Sequence, residues 1–373
     1  MKNILINAAN SNSAGGLSVV KNFLSQIIGN SDRDSKFILV TSNADIYKEY
    51  QCDNIRIIRL SKFLFLPIIN VLTYRYVYCF IANRNDIDSV INFGDLIPFV
   101  NCRVVYYFDW AYALYDDVVI WSKMRKLDFF SRTIKKKLIL KYLHRCDRII
   151  CQTSVIKKRI SKFADINKVV VIPNAIPPNF MVNNDTYGDI DSSFCEKRKF
   201  LYLTRYYSHK NIEVLVDVAE VARKEGLNWL FVLTIDKKQD VAASVLLKDI
   251  KTRELEDMFL ILGEVKYDSI YKLYNSVEFV IIPSLIESYS SSHIEALIAG
   301  KCIFSSDRDF AREVCQDNAY YFDPLDFNNI VNAIKSGISE YDSTDKNKKF
   351  SYVNNVPSWV DSYKEIKGVL DGK

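Results

Sequence analysis

Short hydrophobic runs alternate with longer amphipathic stretches through most of this chain. The first series reads NILINAA (3–9), FILVTS (37–42), SVINFGD (89–95), RVVYYFDW (103–110), RIICQT (148–153) and VVVIPN (169–174). A second begins at KFLYLTR (199–205) and continues with WLFVLTI (229–235), MFLILGEV (258–265), EFVIIPS (278–284) and KCIFSSD (301–307). The runs are continuously apolar, as expected for strands covered on both faces of a parallel sheet. Helical patterns lie between them. In 211–226, Ile212, Leu215, Ala219 and Ala222 share one face and Gly226 closes the stretch. Residues 174–198 are rich in Pro, Asn, Asp and Ser and read as a linker. The pattern predicts an α/β protein of two doubly wound parallel-sheet domains. Such folds bind ligands at the carboxyl ends of their strands, here in the cleft across which the domains are expected to face each other.

Composition narrows the classes. A length of 373 residues suits two domains, and 49% apolar content without low-complexity tracts indicates a globular chain. The opening MKNILINAAN runs straight into a strand pattern, without a signal peptide. The greasiest stretch, 63–82, carries Pro67 and Arg75 in its interior, which a spanning helix tolerates poorly. It remains open whether this stretch is core or meets a membrane. Eight cysteines form no CxxC pair and only three histidines accompany them, which speaks against a zinc site or a disulfide framework. A cytoplasmic location is expected. The net charge of +5 is uneven: residues 121–162 hold fourteen Lys or Arg and two acids, a net +12, leaving the remainder at −7. That segment reads either as a solvated helix face or as a surface for an anionic partner. No base-reading motif or stacked-aromatic platform favours nucleic acid, so an acidic membrane surface is the stronger partner.

Candidate chemistry follows the strand ends. Gly15-Gly16 opens a helix after the first strand. This is either a turn pair or a set of free backbone N–H groups for an anion. It is not GxGxxG, which speaks against a dinucleotide dehydrogenase. In LTRYYSHKN, Arg205 and Lys210 sit across a strand-to-helix loop. Two cations there suit a diphosphate, Arg as a planar fork and Lys as a point charge, unless the loop is merely solvated. In PSLIESYSSSHIEALIAG (283–300), Glu287 falls on a loop and Glu295 within the next helix. They are then roughly 10–12 Å apart, too far for a carboxylate pair sharing one scissile bond at roughly 5–9 Å. The spacing fits two hydroxyl-bearing groups on one ligand, such as the ribose and hexose of a nucleotide sugar, with serines at the helix start for the phosphates. A salt-bridged helix glutamate is the plainer reading of Glu295.

These stretches, in this order along nearly the whole chain, resemble the large retaining glycosyltransferase family numbered four. The matching pieces are AGGLSVV, VIPNAI, LTRYYSHKN, GEVKYDSIYKLYNSVEFVIIPS, the E-x7-E segment ESYSSSHIEALIAG, REV at 312–314 and the C-terminal SWVDSYKEIKGVL. The resemblance implies the GT-B fold, two Rossmann-like domains facing across a cleft. Residues 1–176 would form the acceptor-side domain, with a C-terminal helix at 356–373 packing back on it, and 177–355 the nucleotide-sugar domain. It implies that Gly15 and Gly16 face the diphosphate and sugar, that Arg205 and Lys210 neutralise the β-phosphate, and that Glu287 holds the donor sugar. Ser290 and Ser291 would offer donors, Glu295 would grip the ribose, and the Val265 backbone would meet the base.

The chain also departs from the family. Ser290-Ser291 replaces a commoner Gly-Leu pair, and NAI replaces Asn-Gly near Asn174. Phe108 stands where many members carry a histidine; Asp109, beside it, would then take a polar role toward acceptor or sugar. DxD patterns occur at 32–34, 86–88, 189–191 and 307–309. They read as chance occurrences rather than metal chelates, so no metal and no cofactor beyond the co-substrate is expected. The implied reaction is hexosyl transfer with retention, from a nucleoside diphosphate sugar to a glycan or polyprenyl-diphosphate-linked acceptor. The implied setting is cell-surface polysaccharide synthesis (O-antigen, capsule or lipopolysaccharide) on the inner face of the cytoplasmic membrane. A nucleotide-sugar epimerase and a non-catalytic nucleotide-sugar-binding protein are the alternatives.

Overall fold

A computed structural model of the chain describes residues 1–373 apart from 13, 31–33, 177–179, 181–186, 192–193, 195, 344–356 and 373. Cys195 and Asp32, the first acid of the 32–34 pattern, therefore lie outside the described residues, as do the side chains of Asp189 and Asp191. The chain divides into two compact units. One comprises Met1–Asp117, Met124–Ala175 and Pro357–Lys373; the other comprises Val118–Lys123 and Ile176–Val356.

The first unit holds seven strands: β1 (Lys2–Asn7), β2 (Ser35–Thr41), β3 (Ile55–Arg59), β4 (Ser89–Asn92), β5 (Arg103–Tyr107), β6 (Arg148–Cys151) and β7 (Val169–Val171). Their order is β3-β2-β1-β4-β5-β6-β7, with every neighbour parallel. The second unit holds β8 (Arg198–Tyr202), β9 (Trp229–Leu233), β10 (Phe259–Ile261), β11 (Phe279–Ile282), β12 (Cys302–Ser306) and β13 (Ala319–Phe322). Their order is β10-β9-β8-β11-β12-β13, again all parallel. Strand order reverses direction between β1 and β4 in the first sheet and between β8 and β11 in the second. These are the switch points beyond which an open α/β sheet leaves room for a ligand.

The hydrophobic pattern predicts every strand except β3 and β13. Both are sheet edges. Only Ile55 of β3 and Phe322 of β13 are buried, so neither carries the continuous apolar run of a central strand. The second core is strongly aromatic: the Phe200 ring lies 5.0 Å from Phe279, 5.5 Å from Phe231 and 5.9 Å from Phe304. Gly337 packs here because a Cβ would come within 2.5 Å of the Phe304 ring. In the first unit, the helix Trp359–Asp371 places Trp359, Tyr363, Ile366, Val369 and Leu370 in the core. Arg103 donates to the Val369 carbonyl at 3.0 Å. Cys146, Cys151, Cys302 and Cys315 are buried core residues, whereas Cys52 is exposed.

The 63–82 stretch is buried in part and exposed in part. It folds as a 3₁₀ turn (Lys62–Phe65), a helix (Pro67–Leu72), a π turn (Thr73–Val77) and a second helix (Tyr78–Arg84). Tyr74, Tyr78, Ile81 and Ala82 are core, while Phe63, Leu66, Leu72, Tyr76 and Phe80 face solvent. The basic helix Lys126–Tyr142 also exposes Leu127, Phe129, Phe130 and Ile134, and within it only Ile139 is fully buried. Phe99 joins the two elements. Its ring lies 4.8 Å from Tyr142, and the Arg75 and Arg145 guanidinium groups sit 5.6 and 4.5 Å from it. No helix among the described residues is long and apolar enough to cross a membrane.

Candidate functional site

In the second unit the chain leaves β8 through Thr204 and Arg205 and makes a 3₁₀ turn at Ser208–Lys210. Asn211 ends the turn in the left-handed region, φ 54° and ψ 37°, and enters the helix Val214–Lys224. Asparagine tolerates this conformation. Its side chain is pinned on both sides, donating to the Pro324 carbonyl at 2.8 Å and accepting from Lys123. The loop after β11 is stitched to this turn: the Leu285 amide donates to His209 O at 2.8 Å, and Tyr202 and Ser284 hydroxyls meet at 2.8 Å.

That stitching sets Lys210 and Glu287 opposite each other across the switch point. Their Nζ and Oε1 atoms are 2.5 Å apart, and both side chains are largely buried. The nearby Glu287 charge adds to burial in lifting Tyr202 well above the ordinary phenol range. Arg205 is more open and pairs instead with Glu264 at 3.5 Å. Glu264 follows Gly263, whose φ of +73° turns the chain beyond β10 and places Val265 beside that pair. Glu264 is a partner that the sequence pattern did not mark.

The helix Ser291–Ile298 starts from Ser290, which is buried in an N-cap position with no side-chain capping bond, and its first turn holds no acid. Those are the conditions under which helix N–H groups attract an anion. Ser291 is exposed, and Ser292 donates to Leu203 O at 3.0 Å, tying the helix start to β8. Glu295 lies one turn further on and is 6% exposed. Tyr274 donates to its Oε2 at 3.1 Å. Burial lifts the Glu295 carboxyl to about 7 against the lowering effect of that bond. His293, between the two motifs, was not anticipated. It is fully buried, with Nε2 2.7 Å from Ser305 Oγ and Nδ1 without a hydrogen-bond partner. Desolvation, then the Lys210 charge, lowers it to about 3, so it is neutral.

The first unit has its own polar cluster at the β1/β4 switch. Asn7 donates to Tyr74 at 3.1 Å and to Asn92 at 2.5 Å. Gly94 is required there because a Cβ would lie 2.3 Å from both the Asn7 amide and the Tyr74 hydroxyl. Above it, Asn10 donates to Asp95 Oδ2 at 2.7 Å, and Lys135 pairs with Asp95 Oδ1. Gly15 and Gly16 begin the helix Ala14–Gly29 with no acid in its first turn. A Cβ on Gly15 would meet nothing within 4 Å, and one on Gly16 would lie 3.9 Å from Asp109 Oδ2. Asp109 keeps solvent access although protein crowds its carboxyl. Desolvation, then Asp95, raises it above the ordinary aspartate range, while Lys135 pulls it down. Water at the exposed side of the residue softens this shift without changing its sign.

Thus Lys210, Glu287, Ser290, Ser291 and Glu295 gather on the β8 and β11 ends and the following helix. Arg205 and Val265 occupy the adjoining loop, and Gly15, Gly16 and Asp109 belong to the first unit's cluster. The other two DxD patterns have structural partners: Asp88 accepts from the Asn3 amide at 2.8 Å, and Asp307 binds Arg312 through both oxygens at 2.6 and 2.9 Å.

Residues 190–353 match the model of the family described as Glycosyl transferases group 1. The match takes in every second-unit residue above except Lys123, and none of the first-unit cluster. The chain is 25% identical over 229 residues to 2-deoxystreptamine N-acetyl-D-glucosaminyltransferase of Niallia circulans, covering 57% of this chain and 56% of that protein. It is 22% identical over 243 residues to the phosphatidylinositol N-acetylglucosaminyltransferase gpi3 subunit of Schizosaccharomyces pombe, covering 64% and 51%. The chain thus spans about half the length of the curated relatives it matches. Among solved structures, Anabaena HepE in complex with UDP-glucose is similar over the whole of both chains, with a TM-score of 0.73 at 14% identity. Such a likeness establishes the fold, two parallel-sheet α/β domains of the GT-B class.

Proposed function

We propose that this chain is a metal-independent, retaining glycosyltransferase that moves a hexosyl unit from a nucleoside diphosphate sugar to an acceptor hydroxyl. The observation that carries the reading is the Lys210–Glu287 pair across the β8/β11 switch point, beside a serine-rich helix start free of acids. A cation and a carboxylate in contact suit a ligand that presents phosphate and hydroxyl groups side by side. Lys210 and Arg205 neutralise the β-phosphate as the bond from anomeric carbon to phosphate oxygen breaks. Glu287 accepts hydrogen bonds from sugar hydroxyls, Ser290 and Ser291 donate to phosphate and sugar, Glu295 holds the ribose and the Val265 backbone borders the base. Preorganised charge aimed at the leaving group contributes more to such catalysis than any other single effect. For retention, the acceptor oxygen bonds the anomeric carbon on the face the phosphate leaves, and its proton passes to that phosphate.

In the first unit Gly15 and Gly16 let the diphosphate and sugar approach the helix start, and Asp109 serves acceptor or sugar. The name of the Schizosaccharomyces pombe relative contains phosphatidylinositol, a lipid, which supports a lipid-linked acceptor here. The exposed aromatic and basic residues of 62–84 and 126–142 support docking on an anionic membrane from the cytoplasmic side.

Donor turnover with and without acceptor tests the reading. Lys210→Met is expected to lower turnover by about 10²–10³-fold. Glu287→Gln is expected to keep nucleotide binding and lose sugar transfer. Conversion of donor into another nucleotide sugar without acceptor would indicate an epimerase instead.

A further inference from the structure

We propose that Tyr202 is a positioning residue, whose hydroxyl holds Lys210 in place against Glu287 for the departure of the phosphate. This rests on the assignment of Lys210 to the transferase chemistry above. The supporting geometry lies wholly within the second unit, at the carboxyl ends of β8, β9 and β11.

Tyr202 is the last residue of β8 and is 1% exposed. The chain leaves the sheet after it and returns to it at Lys210, whose carbonyl accepts from the Tyr202 hydroxyl at 3.0 Å. The same hydroxyl lies 2.8 Å from Ser284 Oγ, beyond the β11 end and shortly before Glu287 in the chain. A phenol has one proton to give, and a carbonyl can only accept. The proton therefore goes to Lys210 O, and the Ser284 hydroxyl donates to Tyr202. Burial, then the Glu287 charge, lifts the phenol well above its ordinary range, so it keeps that proton at neutral pH. One oxygen thus joins the residue that carries the ammonium to the strand end that carries the carboxylate.

Other groups fix the rest of the loop. The Thr204 amide donates to Thr234 Oγ1 at 2.8 Å, and that hydroxyl donates back to Thr204 O at 2.9 Å, tying the start of the loop to the β9 end. The Tyr206 amide donates to Gln239 Oε1 at 2.8 Å. The backbone bond from Leu285 to His209 O needs no side chain, so it holds the turn whether or not residue 202 carries a hydroxyl. Removing the hydroxyl alone therefore leaves the fold standing and loosens the Lys210 backbone. Lysine is a point charge on a flexible stem, so the place of its ammonium, 2.5 Å from Glu287 Oε1, depends on where that backbone is held. A charge that stabilises a leaving phosphate acts best when it is already in position.

The test is a mutant cycle on donor turnover by the full chain. Tyr202→Phe keeps the ring in the core and is expected to lower kcat roughly 10- to 100-fold, with a smaller change in donor KM. Ser284→Ala is expected to lower kcat in the same direction. In the Lys210→Met background Tyr202→Phe is expected to cost nothing further, because it acts through Lys210. A merely structural hydroxyl would lower Tm and leave kcat alone, or would cost the same factor in both backgrounds; either result in folded protein overturns the proposal. Should Tyr202→Phe fail to fold, Ser284→Ala in the two backgrounds decides it. A chain that turns over no nucleotide sugar refutes the transferase reading instead. The positioning is then read from the ¹³Cε resonance of Lys210 in lysine-labelled protein, assigned by difference from Lys210→Met. It is expected to move toward the exposed lysines in Tyr202→Phe or Ser284→Ala, and a resonance that stays put overturns the proposal.

Discussion

Glu295 and His293 sit two positions apart on one helix and titrate in opposite senses. The Glu295 carboxyl is about 7 in the folded chain against 4.5 for an ordinary glutamate. Between those values the folded state keeps a proton that the unfolded state has lost, so its contribution to stability falls as pH rises. His293 is about 3 against 6.5. Here the unfolded state binds the extra proton, so stability falls as pH drops below 6.5. The two slopes oppose each other between pH 4.5 and 6.5. Glu295→Gln is expected to raise the calorimetric Tm of the second unit at pH 8, corresponding to up to about 3 kcal/mol. It is also expected to steepen the loss of stability on acidification, as His293 is left unopposed, and to weaken nucleotide binding. A variant no more stable at pH 8 would contradict the burial argument. None of this is legible in the sequence. The E-x7-E spacing marks the two acids, but Tyr274, which bonds Glu295, and Ser305, which bonds His293, lie far along the chain. His293 reads in sequence as one more polar residue in a serine-rich run.

At the scale of elements, the helix Ala14–Gly29 gives a clean separation of folding from function. Neither Gly15 nor Gly16 has a positive φ, and the protein's own atoms leave room for a Cβ at Gly15. Alanine is the better helix residue by about 0.5–1 kcal/mol. Gly15→Ala is therefore expected to leave Tm unchanged or slightly raised while lowering donor turnover at least about tenfold, the loss set by close approach of ligand to backbone. Equal turnover would reduce the pair to a helix start. The basic helix Lys126–Tyr142 and the 62–84 segment carry the membrane claim. Binding to vesicles containing anionic lipid is expected at low salt and is expected to weaken as salt rises, by screening of the charges. Absence of binding at low salt would remove membrane docking from the account. The central strands were readable because a strand covered on both faces must be apolar throughout. The edges β3 and β13 escaped notice because Arg56 and Arg59 break up β3 and Tyr320 and Tyr321 make up half of the short β13. The 62–84 segment defied a single reading because its helices bury one face and expose another, which a count of apolar residues cannot separate.

For the whole molecule, two parallel sheets place every proposed site residue at the strand ends or in the loops and helix starts that follow them, and the β-α alternation was enough to anticipate that. The pairing of Lys210 with Glu287 depends on strand order, β8 beside β11, which joins residues 77 positions apart. Sequence spacing alone gives no such neighbour. It likewise hid the Arg205–Glu264 pair and the Asp95–Lys135 contact. The central claim is that the second unit binds a nucleoside diphosphate sugar through this constellation. The direct measurement is the thermal shift of the full chain against a panel of nucleotide sugars, repeated with Lys210→Met and Glu295→Gln. A ligand at 100 times its dissociation constant is expected to stabilise the folded state by about 2.7 kcal/mol, with both variants losing most of that shift. A panel in which no nucleotide sugar stabilises the chain, or one whose shift both variants keep in full, would contradict the account.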